Sequence, residues 1–367
     1  MKWFFSEKHR LHDANLEVWA GHPSPSTEVA ARADTIAELL RGDASFAEAS
    51  PHSHEIGPIT AIHDPRMVAW LATAWEETRP FSETREIIPD TIRHVSLVEG
   101  LGEQPESMNS PLGRLGYWCF DTMTPIVEGT YEAALSAVDV ALSALDELDA
   151  VGEATYALCR PPGHHAGRAM IGGFCFFNNA AIVANEMISR GAKRVGVLDV
   201  DVHHGNGTQQ IFYQRSDVVY ASLHGDPDRF FPYFTGWTHE TGSGDGEGFN
   251  RNIPLATGCG DDEYLASLDE TLDYLDDCGV EQLVVSLGVD TYALDPLSDL
   301  AISRHAFYQM GSAIAARDLP LVVVQEGGYD QADLAYNVQS FLRGIAQLDP
   351  KPEPEERDPS SLSKQHL

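Results

Sequence analysis

Short apolar runs alternate along this chain with longer stretches whose apolar residues recur at helical spacing. The apolar runs predict strands at 155–159, 194–201, 218–224, 282–289 and 319–325. The helical spacing predicts helices at 131–148, 179–190, 262–276 and 303–317. Near-continuous apolar strands that alternate with helices are typical of a parallel sheet with helices on both faces. We therefore predict an α/β fold with a single parallel sheet, in one domain that spans residues 1–348.

Two stretches depart from this pattern. Residues 77–109 have mixed charge and little periodicity, and they predict a long loop within an insert at 77–115. Residues 349–367 are charged and rich in proline, which predicts a disordered tail.

The most informative segment combines a buried strand pattern with residue types that bind metals. Asp199, Asp201 and His203 occupy alternate positions at its end, so they share one face if the segment stays extended. Buried carboxylates need a partner charge or a metal ion. The segment therefore predicts a divalent metal site. By contrast, His52 and His54 fall in a polar stretch, where we expect them to be solvated.

Polar residues also follow the other predicted strands, at the edge of the sheet where ligands bind in this fold class. They include His164, His165, Ser222, Asp290 and Tyr329. Asp201, His203 and Asp290 supply three metal ligands and leave a coordination position open for water. His164 or His165 is the candidate to move a proton, and Tyr329 is the candidate to donate a hydrogen bond to an oxyanion. The set predicts metal-assisted hydrolysis of an amide.

Composition restricts the classes of partner. The formal net charge of −32 repels nucleic-acid phosphates. The chain has no apolar run long enough to span a membrane, and charge interrupts its start too early for a signal peptide. Its five dispersed cysteines suit reduced thiols. We expect a cytoplasmic protein with no nucleic-acid or membrane partner.

Five motifs resemble the histone deacetylase superfamily. They are Arg160-Pro-Pro-Gly-His-His-Ala, Gly172-Gly-Phe-Cys-Phe-Phe-Asn-Asn-Ala-Ala, Leu198-Asp-Val-Asp-Val-His-His-Gly-Asn-Gly-Thr-Gln, Ser222-Leu-His-Gly-Asp-Pro and Gln325-Glu-Gly-Gly-Tyr. The Asn-Asn and Gly-Asn-Gly variants are similar to the class II branch, and the chain most resembles the bacterial acetylpolyamine amidohydrolases within it. A binuclear manganese site of the arginase type is disfavoured, because Thr291 and Tyr292 follow Asp290 where a second bridging carboxylate is needed.

The resemblance implies the arginase/deacetylase fold and a role for each motif residue. It implies one Zn²⁺ on Asp201, His203 and Asp290, with Fe²⁺ and Co²⁺ as open alternatives for the metal in the cell. It implies that His165 is the general base and then the general acid, with Asn206 as its partner. His164, held by Asp199, would act electrostatically, and Tyr329 would polarise the substrate carbonyl.

The resemblance also implies residues that bind substrate and potassium. The Gly173 carbonyl would accept the substrate N–H, and Phe174 and Phe231 would form the tunnel walls. Leu297 and Asp121 belong to the tunnel rim. A first K⁺ would bind Asp199, Asp201, His203, Ser222 and Leu223. A second K⁺ would bind main-chain oxygens of Phe212, Arg215, Val218 and Phe249.

The insert at 77–115 matches in position the loop through which acetylpolyamine amidohydrolases dimerise and narrow the tunnel mouth. The resemblance therefore implies a homodimer that deacetylates small acylated amines, either acetylpolyamines or acetylated diamines. Deacetylation of protein acetyl-lysine and broad hydrolysis of small amides stay open as alternatives. A non-catalytic sensor is disfavoured, because a binding protein needs no proton shuttle.

Overall fold

The computed structural model describes residues 1–101, 108–351 and 357 of the chain. Its strands are β1 (Lys2–Phe4), β2 (Leu16–Trp19), β3 (His22–Pro25), β4 (Ala47–Ala49), β5 (Thr155–Ala157), β6 (Val195–Asp199), β7 (Val218–Gly225), β8 (Asn250–Leu255), β9 (Gln282–Leu287) and β10 (Leu321–Gln325). An eight-stranded sheet has the order β4-β1-β5-β10-β9-β6-β7-β8, and each neighbouring pair in it is parallel. Strands β2 and β3 form a separate antiparallel hairpin. The predicted parallel α/β fold is confirmed.

Helices cover both faces of the sheet. They are α1 (Ala31–Arg41), α2 (Gly57–Ile62), α3 (Pro65–Thr78), α4 (Pro111–Trp118), α5 (Thr130–Val151), α6 (Asn179–Ser189), α7 (Asn206–Phe212), α8 (Asp261–Asp277), α9 (Arg304–Ala315) and α10 (Leu334–Ile345). Among the described residues, no helix is both long enough and apolar enough to cross a membrane.

The core lies on both sides of the sheet because strand side chains alternate between its faces. In β10, Leu321 and Val323 share a cluster with side chains of α1, α8, α9 and α10. Val322 and Val324 point the other way, into a cluster with side chains of α5 and α6. Burial of each such side chain contributes about 1.5–3 kcal/mol. The central strands are predominantly apolar because both of their faces are buried.

The predicted strands and helices are all present, with ends displaced by no more than three residues. One displacement concerns the metal-binding segment, because β6 ends at Asp199 and not at residue 201. The carboxylates of Asp199 and Asp201 accept the backbone N–H groups two residues further on, at 3.2 and 2.9 Å. These local bonds replace the strand ladder. Asp201 and His203 therefore lie in the loop after the strand and not on its face.

The predicted insert at 77–115 includes the end of α3 and most of α4. Between these helices, the described residues form two short 3₁₀ turns, Arg79–Phe81 and Val95–Leu97. Residues 102–107 lie outside the described residues, as do 352–356 and 358–367 of the predicted disordered tail. The domain boundaries stay predictions.

Sheet order determines which loops meet. Strands β5, β10, β9 and β6 are adjacent in the centre of the sheet. Since parallel strands end at the same edge, the loops that follow these four strands are neighbours in space. Those loops carry the histidine pair, Tyr329, Asp290 and the segment of Asp201 and His203.

Candidate active site

Three metal-binding side chains converge after β6 and β9. Their ligand atoms, on Asp201, His203 and Asp290, all lie within 4.8 Å of one another. His203 Nδ1 is 3.1 Å from Asp201 Oδ1 and 3.2 Å from Asp290 Oδ2. The Asp201 and Asp290 side chains are completely buried. The structure thus brings together the three residues that the sequence predicts as zinc ligands.

Hydrogen bonds from backbone N–H groups hold the two carboxylates in place, and one carboxylate oxygen has no hydrogen-bond partner among the described residues. Asp290 Oδ1 accepts the Val202 N–H at 3.0 Å, and Asp201 Oδ2 accepts the Gly327 N–H at 2.8 Å. Asp290 Oδ2 is buried and makes no hydrogen bond to any described residue, although His203 is near it. A Cβ at Gly327 would lie 2.1 Å from this oxygen, so glycine is required there.

The electrostatics of the pair favour a bound cation. Burial raises the pKa of Asp290, and the neighbouring charge of Asp201 raises it further. Burial acts in the same direction on Asp201, but the charges of His164 and His203 outweigh it and lower the pKa of Asp201. A divalent ion between these donors satisfies the orphaned oxygen and removes the repulsion. One imidazole and two carboxylates are a donor set that suits Zn²⁺, so the residues present fit the implied metal.

Two adjacent buried histidines follow β5 and have opposite electrostatic environments. His164 Nδ1 lies 3.1 Å from Asp199 Oδ2, and His165 Nδ1 lies 2.7 Å from Asn206 Oδ1. Burial lowers the pKa of His164, but the charges of Asp199 and Asp201 outweigh burial and raise it to about 10. Burial and the charge of His164 hold the pKa of His165 well below its usual value. These shifts favour a protonated His164 next to a neutral His165.

Hydrogen bonding also fixes the tautomer of His165. An amide oxygen can only accept a hydrogen bond, so the bond to Asn206 Oδ1 places the proton of neutral His165 on Nδ1. Its Nε2 then carries a free lone pair, which is the atom that takes a proton in general-base catalysis.

Tyr329 follows β10 in a loop that other chain segments hold in place. Its side chain is 8% exposed, and its backbone N–H donates to Asp295 Oδ2 at 2.6 Å. Burial, together with the charge of Asp290, raises the pKa of Asp295 to about 8. The Tyr329 ring lies 5.9 Å from the ring of Phe174. Tyr329 lines the same cavity as His165 and His203.

A cavity of about 180 Å³ opens onto these groups. Its lining residues are Trp19, Met123, His165, Gly173, Phe174, His203, Arg229, Phe230, Phe231, Tyr233, Thr257, Leu297, Asp299 and Tyr329. Gly173 has φ +57° and a Cβ there would lie 2.2 Å from His165 Cδ2, so only glycine fits beside the base. The aromatic walls and the polar end together suit an apolar chain that ends in an amide.

The chain is similar to proteins of one family over nearly its whole length. Residues 26–345 match the histone deacetylase domain. The chain is 40% identical over 349 residues to an acetylpolyamine amidohydrolase of Mycoplana ramosa. This alignment covers 94% of this chain and 100% of that protein. Acetylpolyamine amidohydrolase 1 of Pseudomonas aeruginosa is 39% identical over 340 residues, covering 93% of this chain and 97% of that protein. The chain belongs to the histone deacetylase family.

A solved structure supports the same conclusion for the fold. The acetylpolyamine aminohydrolase of Burkholderia pseudomallei superimposes with a TM-score of 0.89 at 35% identity, over 95% of this chain and 99% of that chain. The family resemblance and the arginase/deacetylase fold that the motifs predict are both confirmed.

Most predicted substrate-binding residues line the cavity, and one does not. Gly173, Phe174, Phe231 and Leu297 are among the lining residues. Asp121 lies behind the wall, where it is buried and accepts the backbone N–H groups of Gly173 and Met123. Burial raises the pKa of Asp121. The structure gives Asp121 a role in holding the Gly173 turn, and its contact with substrate stays a prediction.

The predicted potassium ligands lie on β6, β7 and the segments that adjoin them. Asp199 of β6 pairs in register with Ser222 of β7, whose Oγ lies 2.8 Å from His224 Nδ1. Leu223 is the next residue of β7. In the second set, the carbonyls of Phe212 and Phe249 accept backbone bonds from Arg215 and Tyr220. Val218 begins β7. Both potassium sites stay predictions.

Several site residues carry no sequence signal of their own. Trp19, from the β2–β3 hairpin, and Asp299, downstream of β9, line the cavity but belong to none of the five motifs. Met123, Arg229 and Tyr233 each lie two residues from a position that the resemblance implies, after Asp121, Pro227 and Phe231 respectively, and that proximity is the signal the sequence offers for them.

Proposed function

We propose that this deacetylase-family chain is a Zn²⁺-dependent amidohydrolase that removes the acyl group, preferably acetyl, from small acylated amines. The observation that carries the proposal is a group of three metal-binding side chains, Asp201, His203 and Asp290, next to a cavity that His203, a neutral His165 and Tyr329 line. Zinc bound at Asp201, His203 and Asp290 would activate water and polarise the amide carbonyl.

The other steps belong to the protein side chains. His165 Nε2 takes a proton from the attacking water and later gives it to the leaving amine nitrogen. Tyr329 donates a hydrogen bond to the carbonyl oxygen as negative charge develops there. The positive charge of His164 stabilises the same charge through space. The Gly173 carbonyl accepts the amide N–H and orients it.

The cavity and the relatives together support small amines as substrates. Acetylpolyamine amidohydrolases are among the proteins similar to this chain over nearly its full length. Asp299 adds a carboxylate to the cavity wall, and its Oδ1 is buried without a hydrogen-bond partner among the described residues. Its Oδ2 accepts the Thr257 hydroxyl at 2.6 Å. A distal ammonium group of an acetylated diamine would satisfy this charge.

Steady-state kinetics on matched substrates test the proposal. The substrates are acetylputrescine, acetylcadaverine, acetylspermidine and an acetyl-lysine peptide, with zinc-replete enzyme and the same enzyme after chelation. A higher kcat/KM for the small amines, lost on chelation and restored by zinc, is the expected result. Preference for the peptide would favour protein deacetylation, whereas no turnover of any amide would refute the hydrolase proposal.

The homodimer, the potassium ions and the cytoplasmic location accompany this proposal as predictions. Light scattering of the purified chain measures whether it is a homodimer. The dependence of thermal stability on KCl, compared with NaCl, measures whether potassium ions are bound.

A further inference from the structure

A second group of metal-binding residue types lies away from the cavity, between the segment that follows β4 and helix α5. The His52 and His54 rings are 4.4 Å apart. Their Nε2 atoms lie 2.9 and 3.0 Å from the same oxygen, Asp146 Oδ2. The His54 side chain is only 14% exposed, so the expectation that it is solvated is wrong. Three donor atoms thus converge on one point.

The second nitrogen of each imidazole has a partner that orients the ring. His52 Nδ1 lies 3.3 Å from Ser143 Oγ, and His54 Nδ1 lies 3.3 Å from Asp139 Oδ1. Asp139, Ser143 and Asp146 occupy one face of α5, because their spacing is four and three residues. A hydrogen bond at Nδ1 leaves Nε2 as the coordinating atom, which is the usual arrangement around a metal-bound histidine.

The carboxylate is held in the same way. Asp146 Oδ1 accepts Arg190 Nη1 at 2.7 Å, which leaves Oδ2 facing the two rings. The same nitrogen lies 2.7 Å from Asp149 Oδ2. The cluster thus holds Asp146 and Asp149 on Arg190 and Asp139 on His54, three carboxylates with one guanidinium, and a divalent cation would offset their negative charge.

We propose that His52 Nε2, His54 Nε2 and Asp146 Oδ2 form an accessory Zn²⁺ site that ties the segment after β4 to helix α5. Two imidazoles and one carboxylate suit zinc and disfavour Mg²⁺ and Ca²⁺, which take oxygen ligands. Water completes the coordination on the exposed side, where His52 is 62% exposed. The site shares no ligand with the catalytic group and is independent of the proposed function.

Zinc stoichiometry of the full-length enzyme tests the proposal. After equilibrium dialysis against buffered free zinc, wild type is expected to hold about two zinc ions per chain. His52→Ala is expected to hold about one, with unchanged circular dichroism because that side chain is largely exposed. His305→Ala, an exposed histidine on α9, is the matched control and retains two. Equal zinc content in wild type and His52→Ala would overturn the proposal.

Two further variants separate this site from the catalytic one. Asp201→Asn removes a catalytic ligand, and one zinc ion together with a zinc-dependent rise in Tm is expected to remain. Asp139→Asn alters the partner of His54, and zinc affinity at this site is expected to fall about 10–100-fold. If Asp201→Asn binds no zinc while folded, the cluster is held by hydrogen bonds alone and the proposal is wrong.

Discussion

The Arg32 guanidinium lies 4.5 Å from the centre of the Tyr329 ring. It also donates to the Gly328 and Glu326 carbonyls, at 2.5 and 2.7 Å. A residue of helix α1 therefore holds the loop that presents the tyrosine hydroxyl. Glu28 accepts Arg32 Nη1 at 2.7 Å and completes this contact from the other side.

Replacement of Arg32 by Met is expected to lower both stability and turnover. The change leaves the Glu28 carboxylate buried without one of its partners, and removal of one member of a buried ion pair costs roughly 3–5 kcal/mol of unfolding free energy. It also frees the Tyr329 loop, so kcat falls. Urea unfolding and steady-state kinetics measure the two effects. Arg41→Met, on the same helix but half-exposed, is the control and changes stability by about 0.5 kcal/mol or less.

The Glu28 carboxylate also joins the loop of the histidine pair to this network, because it accepts Arg160 Nε at 2.8 Å. Burial raises the pKa of Glu28, but the charges of Arg160 and Arg32 outweigh burial and lower it from 4.5 to about 2.

Since the folded pKa of Glu28 lies below the unfolded one, the ionised group stabilises the fold above pH 4.5. That contribution, about 3 kcal/mol, is lost as the pH falls from 4.5 to about 2. The difference in unfolding free energy between wild type and Glu28→Gln, measured by urea unfolding as a function of pH, should show this loss. Glu48→Gln, at a surface carboxylate on β4, is the control variant. A constant difference between wild type and Glu28→Gln across this range would contradict the assignment.

Tyr329→Phe removes the hydroxyl and keeps the ring. Loss of one preorganised transition-state donor lowers kcat by roughly 10²–10³. The ring contacts with Phe174 and Arg32 remain, so the Tm stays close to that of wild type. Steady-state kinetics on acetylputrescine measure the change, with Tyr233→Phe, 45% exposed on the same cavity, as the matched control. A kcat close to wild type in Tyr329→Phe would remove this residue from the mechanism.

Asn206→Asp is expected to shift the pH profile of the reaction. An Asp beside Nδ1 stabilises the protonated form of His165 and raises its pKa. A general base acts when neutral, so the acidic limb of kcat/KM moves to higher pH. Gln210→Glu, on the exposed side of the same helix, is the control. Coincident acidic limbs for wild type and Asn206→Asp would show that His165 is not the base.

Asp299→Asn is expected to lower kcat/KM for a charged substrate and not for a neutral one. If the carboxylate pairs with a distal ammonium, kcat/KM for acetylputrescine falls roughly tenfold, the size of a hydrogen bond to a charged group. The value for N-pentylacetamide, an uncharged analogue of the same length, stays unchanged. Asp228→Asn, exposed near the cavity rim, is the control. Equal losses for both substrates would indicate a structural role for Asp299 through its bond to Thr257.

The sequence predicts the motif residues of the site because each motif is a short local string at the end of an apolar strand. Asp201, His203, Asp290 and Tyr329 could be placed together once the parallel sheet was predicted, since the ends of its central strands coincide. The alternation of side chains along the segment does not predict where β6 ends. The strand ladder ends because the Asp199 and Asp201 carboxylates accept hydrogen bonds from backbone N–H groups two residues further on.

Residues that reach the site from distant segments were missed for a different physical reason. The apolar spacing around Arg32 accounts for its helix. The local sequence does not indicate that its guanidinium is buried against the loop near residue 328. Asp295 and Asp299 likewise follow an apolar strand by several residues, where a carboxylate most often faces water. Such contacts depend on tertiary packing and leave no periodic signal.

The bonds between Arg32 and the loop at Glu326 and Gly328 join residues 294 and 296 positions apart. At roughly 5–20 residues per second, a ribosome needs about 15 to 60 s to make the chain between them. During most of that interval, the nascent polypeptide also lacks some of the histidines and metal-binding residues, and only at its end does it gain the tyrosine loop that Arg32 contacts. The catalysis proposed for this site therefore requires synthesis at least as far as Tyr329, and shorter nascent chains lack the loop that supplies its hydroxyl.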